Sequence, residues 1–306
     1  MVELPTSSFS GHETFAFRYG WLKKGVDAIL RDPAAFSDPY AMVSLGVGKN
    51  MVTSIRHWCL TLRLVTPVEV GASELKATAL GQALFGPEGL DPYLEDTGTL
   101  WLLHWLLTNS DQRATTWRWA FGLWPQTEFT REQMLNDLKA QIVRQQASRV
   151  TETSLGRDVD TFLHTYLPTR GTRLSGTEDT LTCPLIELHL LRENPVNNHY
   201  EFIRGPKPTL PDAILGFALV EYWNHVAPDR ETLSFEQLSH GAGSPGRVFK
   251  LTEDALLERL EGIGLWTKKA MLFDQTAGLR QVIRSKQVKA HELILPYYRA
   301  PERSAA

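Results

Sequence analysis

Apolar residues recur at helical spacing through residues 39–60, broken once by a glycine. Ala41, Met42 and Leu45 share one face, and Val47, Val52 and Ile55 share a second beyond Gly46. The spacing predicts two helices joined by a sharp turn, a helix-turn-helix. Asp38 is expected as the N-cap of the first helix and Pro39 at its first position, where a missing N–H costs nothing. Gly46 supplies the residue free to take positive φ at the turn. The second helix would then point Gly48, Lys49, Asn50, Thr53, Ser54 and Arg56 outward, a set able to meet phosphates and base edges. The β-branched run Leu62–Val70, the turn Gly71–Ser73 and the return Leu75–Thr78 predict a hairpin wing. Thr78–Phe85 resumes helical spacing and Gly86-Pro87 stops it. This stretch is expected to be a winged helix-turn-helix that contacts DNA. Helical hairpins with a glycine turn also serve as structural or protein-docking modules, and that alternative stands beside it.

Farther along, residues 96–170 predict a helical middle in which Trp101, Trp105, Trp117, Trp119 and Trp124 are concentrated. Such an aromatic cluster is expected to be core, not a base-stacking platform. Thr130-Arg131-Glu132-Gln133 forms a capping box for a helix running to about residue 149. A stretch rich in prolines from 168 to 211, with an apolar patch at Leu181–Leu191, is expected to join two halves. Helical spacing returns at Asp212–Asn224, a second capping box lies at Ser234–Gln237, and another helix is expected over Thr252–Glu261. Leu265–Trp266, Met271–Phe273 and Leu279–Ile283 are expected as short strands. The expected architecture is mainly α: an N-terminal winged helix-turn-helix (1–95), a Trp-rich acidic helical middle (96–205) and a second winged-helix-like module (206–300).

With 306 residues, 42% hydrophobic and 22% charged, the composition is that of a soluble globular protein. No apolar run approaches the ~20 residues of a membrane span, and no signal-peptide pattern opens the chain. Cys59 and Cys183 are far apart, which excludes a disulfide framework or a cysteine metal site. A cytoplasmic location is expected. The net charge of −3 is segregated: residues 1–66 sum to +2, residues 67–243 to −9 and residues 244–306 to +4. Positive ends around an acidic middle suit local contact with nucleic acid.

Several motifs tempt and fall short. Gly46-Val47-Gly48-Lys49 lacks the leading glycine and the Ser or Thr of a phosphate-binding loop, having Val43 and Asn50 there. Gly241-Ala242-Gly243-Ser244-Pro245-Gly246 matches a nucleotide-loop pattern but follows a polar helical segment, not a buried strand. It is expected to be a turn with Ser244 as cap and Pro245 at the first helical position, leaving Arg247 and Lys250 exposed for phosphate contact. His12-Glu13 lacks the second histidine of a zinc-protease motif. His104, His164, His189 and His225 sit in apolar sequence and are expected in core or surface roles. No metal, cofactor or catalytic residue is expected.

The opening Ser8-Phe9-Ser10-Gly11-His12-Glu13-Thr14-Phe15, continuing through Arg18-Tyr19-Gly20-Trp21-Leu22-Lys23-Lys24, is more specific than propensity requires. Together with Leu45–Val52, Asp91-Pro92-Tyr93-Leu94-Glu95-Asp96 and Thr276–Gln281, it resembles the bacterial family termed domain of unknown function 4007. The resemblance implies a neighbourhood of sulfurtransferases like phosphoadenosine-phosphosulfate reductase, cysteine desulfurases and ATPases, as in DNA phosphorothioation and phage-defence islands. It thus implies a helper in DNA sulfur modification or restriction, with a sulfurtransferase and an ATPase as possible protein partners. With the winged-helix reading, the expectation is a non-catalytic accessory protein whose partner is duplex DNA. The other reading is an adaptor that docks such a partner without touching DNA. Lys49, Asn50, Thr53, Ser54 and Arg56 are the expected DNA contacts, extended by Arg18, Lys23, Lys24, Arg247 and Lys250. His12, Glu13 and Arg18 either form a polar site or belong to a buried cap in which Glu13 pairs with Arg18 or Lys23. A metal-dependent nuclease centred on His12 and Glu13 is a third class.

Overall fold

Helices dominate the described residues, but three small antiparallel sheets among them make the protein mixed α/β where the sequence predicts a mainly α protein. The computed structural model describes residues 9–110, 113–144, 150–168, 182–276, 278–285 and 288–299. Two compact units are formed. Unit 1 comprises residues 1–119 and 126–202, and unit 2 comprises residues 120–125 and 203–306.

Unit 1 opens with α1 (Trp21–Arg31), α2 (Ala41–Leu45) and α3 (Lys49–Thr61), followed by β1 (Val65–Pro67), β2 (Leu75–Ala77) and α4 (Ala79–Phe85). Gly46 closes α2 at φ 65°, the left-handed conformation the sharp turn requires. Asp38 departs from expectation. Its carboxylate accepts from the Tyr40 N–H at 2.8 Å in a turn ahead of the helix, so Tyr40 occupies the cap position. β1 and β2 pair with Val65 opposite Ala77, giving the expected hairpin. The Thr78 side chain caps α4 and also donates to the Arg63 carbonyl, tying the hairpin's exit to the end of α3.

The rest of unit 1 is built on α5 (Thr97–Thr108), in which every residue from Gly98 onward is buried. A helix apolar on all sides belongs in a core, and its one histidine, His104, meets the Tyr166 hydroxyl at 2.8 Å. Around it lie the first part of α6 (Thr115–Gly122), α7 (Arg131–Arg144), α8 (Glu152–Tyr166) and a 3₁₀ turn (Pro184–Leu188). The Thr130–Gln133 capping box forms in both directions. All five tryptophans of the predicted cluster are buried, as an aromatic core demands. The second sheet orders β3 (Glu128–Phe129), β5 (His199–Phe202) and β4 (Leu191–Asn194). Much of the expected junction, residues 169–181, and the expected end of the helix at 145–149 lie outside the described residues.

Unit 2 runs α9 (Asp212–Val226), β6 (Thr232–Ser234), α10 (Phe235–His240), α11 (Pro245–Val248), α12 (Glu253–Glu261), α13 (Ile263–Trp266), β7 (Met271–Thr276), β8 (Leu279–Arg284) and α14 (Ala290–Tyr298). The sheet order is β6-β8-β7, with Leu233 opposite Val282 and Phe273 opposite Val282. The Ser234–Gln237 capping box is present, and Ser244 caps α11 with Pro245 at its first position. Leu265–Trp266, expected as strand, is a helical turn, because Thr267 N–H and hydroxyl both bond back to the Ile263 carbonyl. Among the described residues no helix is long and apolar enough to cross a membrane.

Candidate nucleic-acid interface

Helix α3 presents a sharply divided surface. Val52, Ile55, Trp58 and Cys59 face inward, while Lys49, Asn50 and Thr53 are exposed and Arg56 is half-buried. Ser54, expected outward with them, is fully buried, and its hydroxyl finds no partner among the described residues. Position 54 lies one residue before Ile55 on the helix, and the face that packs inward is wide enough to include both. No carboxylate occurs anywhere in α3.

What holds this helix is the opening segment of the chain. A Cβ on Gly11 would lie 2.5 Å from Nδ1 of His57, so only glycine lets the segment press against the helix. His12 stacks on Trp58 at 6.0 Å between centroids and meets Trp117 and His57 edge-on. Its Nδ1 accepts the Thr14 N–H at 3.1 Å, which leaves Nε2 to donate to Asp158 at 2.6 Å. Asp158 also accepts from the Ser10 N–H and the Thr116 hydroxyl, and Trp58 Nε1 donates to the Phe15 carbonyl at 2.9 Å. With His12 only 1% exposed, the segment is a buried brace behind α3. The expected pairing of Glu13 differs: Glu13 is exposed at φ 49°, and Lys23 bonds Asp27 at 2.6 Å instead.

On the same helix, His57 is pushed down to about 3, chiefly by burial and then by His12, Arg113 and Arg56. Arg113, half-buried, is itself pushed below its ordinary range by burial and by the Arg56 guanidinium. The two like charges thus act on each other, and no described residue offers either a hydrogen bond or an ion pair. Like charges near each other, with no carboxylate bonded to either among the described residues, are suited to share an anion. Arg113 is the residue that sequence reasoning misses. It stands between two Trp-rich helices and outside any periodic pattern, and only the tertiary fold brings it to α3.

The remaining candidates scatter. Arg18 lies over the rings of Phe15 and Trp21 at 5.7 and 5.3 Å. Lys24 is exposed and donates to the last carbonyl of α2, that of Leu45, at 3.3 Å. Arg247 and Lys250, expected at the surface of unit 2, are drawn inward. Arg247 donates to the Leu123 and Trp124 carbonyls, and Lys250 is 8% exposed with its ammonium 5.2 Å from the Phe121 ring centroid. Both cationic ends thus turn toward residues 121–124 and not to solvent. Elsewhere in unit 1 a cavity of about 320 Å³ is lined by Arg131, Asp160, His164, Glu193 and Tyr200, among others, but Arg131 and Asp160 already bond each other in two places. Among the described residues no three His, Cys, Asp or Glu side chains gather as a metal-ligand set.

A family model described as protein of unknown function (DUF4007) matches residues 9–298. The chain belongs to that family. Two solved structures are similar over almost their whole length: an SspB crystal structure and a magnesium ion-bound SspB crystal structure. Each is 30% identical with a TM-score of 0.86, and each comparison covers 97% of this chain and 92% and 91% of the respective neighbour. No curated protein matches the chain. The membership that the opening motif implied is therefore secure, and the DUF4007 chain's brace of Gly11, His12 and Phe15 is formed from that motif.

Proposed function

We propose that this DUF4007 protein is a non-catalytic DNA-binding accessory factor that grips duplex DNA through α3. The observation that carries this reading is the acid-free outward face of α3 with the Arg56–Arg113 like-charge pair beside it, neither guanidinium bonded to a carboxylate among the described residues. In this reading α2, Gly46 and α3 are the helix-turn-helix and β1–β2 is the wing. The Leu75 N–H donates to the Pro33 carbonyl, where a third strand of a winged helix would run. Arg56 and Arg113 straddle a phosphate, Lys49 meets a second, and Asn50 and Thr53 face base edges. Lys24 extends the basic surface. Such a factor would serve a DNA sulfur-modification or phage-defence system, a setting that the family resemblance supports.

Fluorescence anisotropy of the protein with duplex DNA, at rising salt, tests this. Parent protein binds with an affinity that falls steeply with salt. Lys49→Ala with Arg56→Ala lowers the slope of log affinity against log salt by about 2, since each phosphate contact contributes about 0.9. Equal affinity and slope in variant and parent would sink the assignment.

Unit 2 supports a second reading for its own surface. The order α9-β6-α10-α12-β7-β8, with the sheet ordered β6-β8-β7, fits a winged helix in which α12 occupies the recognition position. Yet α12 exposes Glu253, Asp254, Glu258 and Glu261. A phosphate backbone would be repelled there, so this face suits an adaptor role toward a basic protein, such as a sulfurtransferase or ATPase partner. Co-purification with such a partner, lost in Glu258→Lys with Glu261→Lys, checks it.

A further inference from the structure

The cavity of about 320 Å³ in unit 1 is walled by three elements, each placed by its own local sequence. On α8, Asp160, Leu163, His164 and the capping Leu167 stand at i, i+3, i+4 and i+7, so a single stripe of the helix lines it. Arg131 opens α7, where the Thr130–Gln133 capping box sets the start of the helix. Tyr200 comes from β5, opposite Glu193 of β4, and its ring packs against Phe129 at 5.6 Å between centroids. Asn198, at φ 53° just ahead of β5, is exposed at the rim together with His164.

The Arg131–Asp160 pair does not exhaust the chemistry of this cavity. Arg131 directs Nε and Nη2 to Asp160 and the Gly156 carbonyl, and its Nη1 makes no hydrogen bond among the described residues. Each Asp160 oxygen accepts one of those bonds and keeps a further lone pair. Donors and acceptors thus stand side by side while the guanidinium and the carboxylate cancel. An anionic ligand would meet Asp160 and Glu193, and an ammonium would meet Arg131, so a charged head is disfavoured at either sign. Leu163, Leu167 and the Tyr200 ring suit a flat, uncharged body. The volume of about 320 Å³ lies at the lower end of small-molecule sites, about 300–1,000 Å³.

We propose that this cavity binds a guanine base. Guanine carries two acceptors, O6 and N7, beside two donors, N1–H and its amino group. Arg131 Nη1 donates to the acceptor side, Asp160 accepts from the donor side, and the ring plane lies against Tyr200. Adenine has an amino donor in place of O6, and the pyrimidines lack N7, so none of them matches both groups. The base comes from a free nucleoside or from an unpaired position of a nucleic-acid strand, since both present the same edges. The site is formed by α7, α8 and the second sheet and does not depend on the α3 reading.

The full chain is titrated with deoxyguanosine, and with deoxyadenosine, deoxycytidine and thymidine as controls, by saturation-transfer NMR and by thermal unfolding. Deoxyguanosine gives a saturable rise in Tm and binds at least about tenfold more tightly than the other three. Arg131→Lys keeps the ion pair with Asp160 but removes Nη1, and weakens deoxyguanosine binding by about tenfold or more. Asp160→Asn, which turns one acceptor oxygen into a donor, has an effect of the same size. An equal response to all four nucleosides, no response to deoxyguanosine, or undiminished binding in both variants overturns the site. A short thymidine oligonucleotide with one central guanine, set against the same oligonucleotide without it, then separates the two sources. Preference for the guanine oligonucleotide, lost in Arg131→Lys, assigns the site to a nucleic-acid strand. Equal binding of the two oligonucleotides assigns it to the free nucleoside. Lys49→Ala with Arg56→Ala retains the deoxyguanosine response, which separates this cavity from the α3 surface.

Discussion

Helices α3 and α12 have the same inward chemistry and opposite outward chemistry. Each follows a turn and each packs a row of buried apolar residues, Val52, Ile55 and Trp58 in one and Ala255, Leu256 and Leu260 in the other. Outward, α3 offers Lys49, Asn50, Thr53 and Arg56 with no acid, whereas α12 offers four carboxylates around Arg259, which is engaged with Asp212 and two carbonyls. Helices with like inward packing in two parts of one chain can therefore differ in the chemistry they turn outward. Fold sets where a helix stands, and the few outward residues set what it meets.

The inward faces give the largest effects. Trp58→Ala removes a fully buried indole and its bond to Phe15, and is expected to cost about 3–5 kcal/mol, and Leu260→Ala about 2–5 kcal/mol. Thermal unfolding measures both. A Trp58→Ala protein with unchanged Tm would mean that the brace of His12 and Gly11 does not depend on the indole it stacks against.

Outward charge gives the next largest. Lys49→Glu with Arg56→Glu is expected to lower duplex affinity by at least about a hundredfold at low salt, since attraction at two phosphates becomes repulsion. The matching reversal on α12, Glu258→Lys with Glu261→Lys, is expected to leave duplex affinity equal or raised. Should both reversals weaken DNA binding alike, the contrast between the helices collapses.

Much of this contrast is legible in the sequence because it is local. Periodicity and capping residues fix the helices, and the turn at Gly46, the hairpin and the capping boxes at Thr130 and Ser234 appear where the residues put them. Pairings between distant positions are not legible. Nothing near residue 12 announces Asp158 as its partner, and nothing near residue 56 announces Arg113. Arg247 and Lys250 mislead for the same reason: a basic residue after a cap reads as solvated unless one knows that the end of α6 and the residues after it meet its charged end. Three small sheets also escape a pattern-based view, since strands of two to six residues carry too little alternation to outweigh the helices around them.

Acid and alkali are expected to act on the two units differently. His57 has a folded value of about 3 against an ordinary 6.5, so the unfolded chain binds the extra proton and stability falls as pH drops from 6.5 toward 3. Lys250, at about 7 folded against an ordinary 10.5, works in the opposite window: the unfolded chain again holds the proton, and stability rises with pH from about 7 to 10.5. Lys207 adds to the upper part of that rise. His57→Gln is expected to flatten the acid limb and Lys250→Met the alkaline limb in thermal scans across pH. If either variant changes the other's limb, the assignment of the two limbs to these two groups is wrong.

The smallest test sits on two neighbouring residues of α3. Thr53 is exposed, with its hydroxyl 3.5 Å from the Lys49 carbonyl, whereas Ser54 is fully buried with no partner for its hydroxyl among the described residues. Thr53→Ala is expected to leave Tm unchanged and weaken duplex binding a few-fold, about 1 kcal/mol for one polar contact. Ser54→Ala removes an unsatisfied buried hydroxyl, so it is expected to leave duplex binding unchanged and to stabilise by up to about 1 kcal/mol. The two substitutions remove the same hydroxyl chemistry from adjacent positions, which makes the outcome depend on facing alone. Reversal of the pattern, with Ser54→Ala weakening DNA binding and Thr53→Ala raising Tm, would mean that α3 is turned by about one residue, roughly 100°, from the orientation described here.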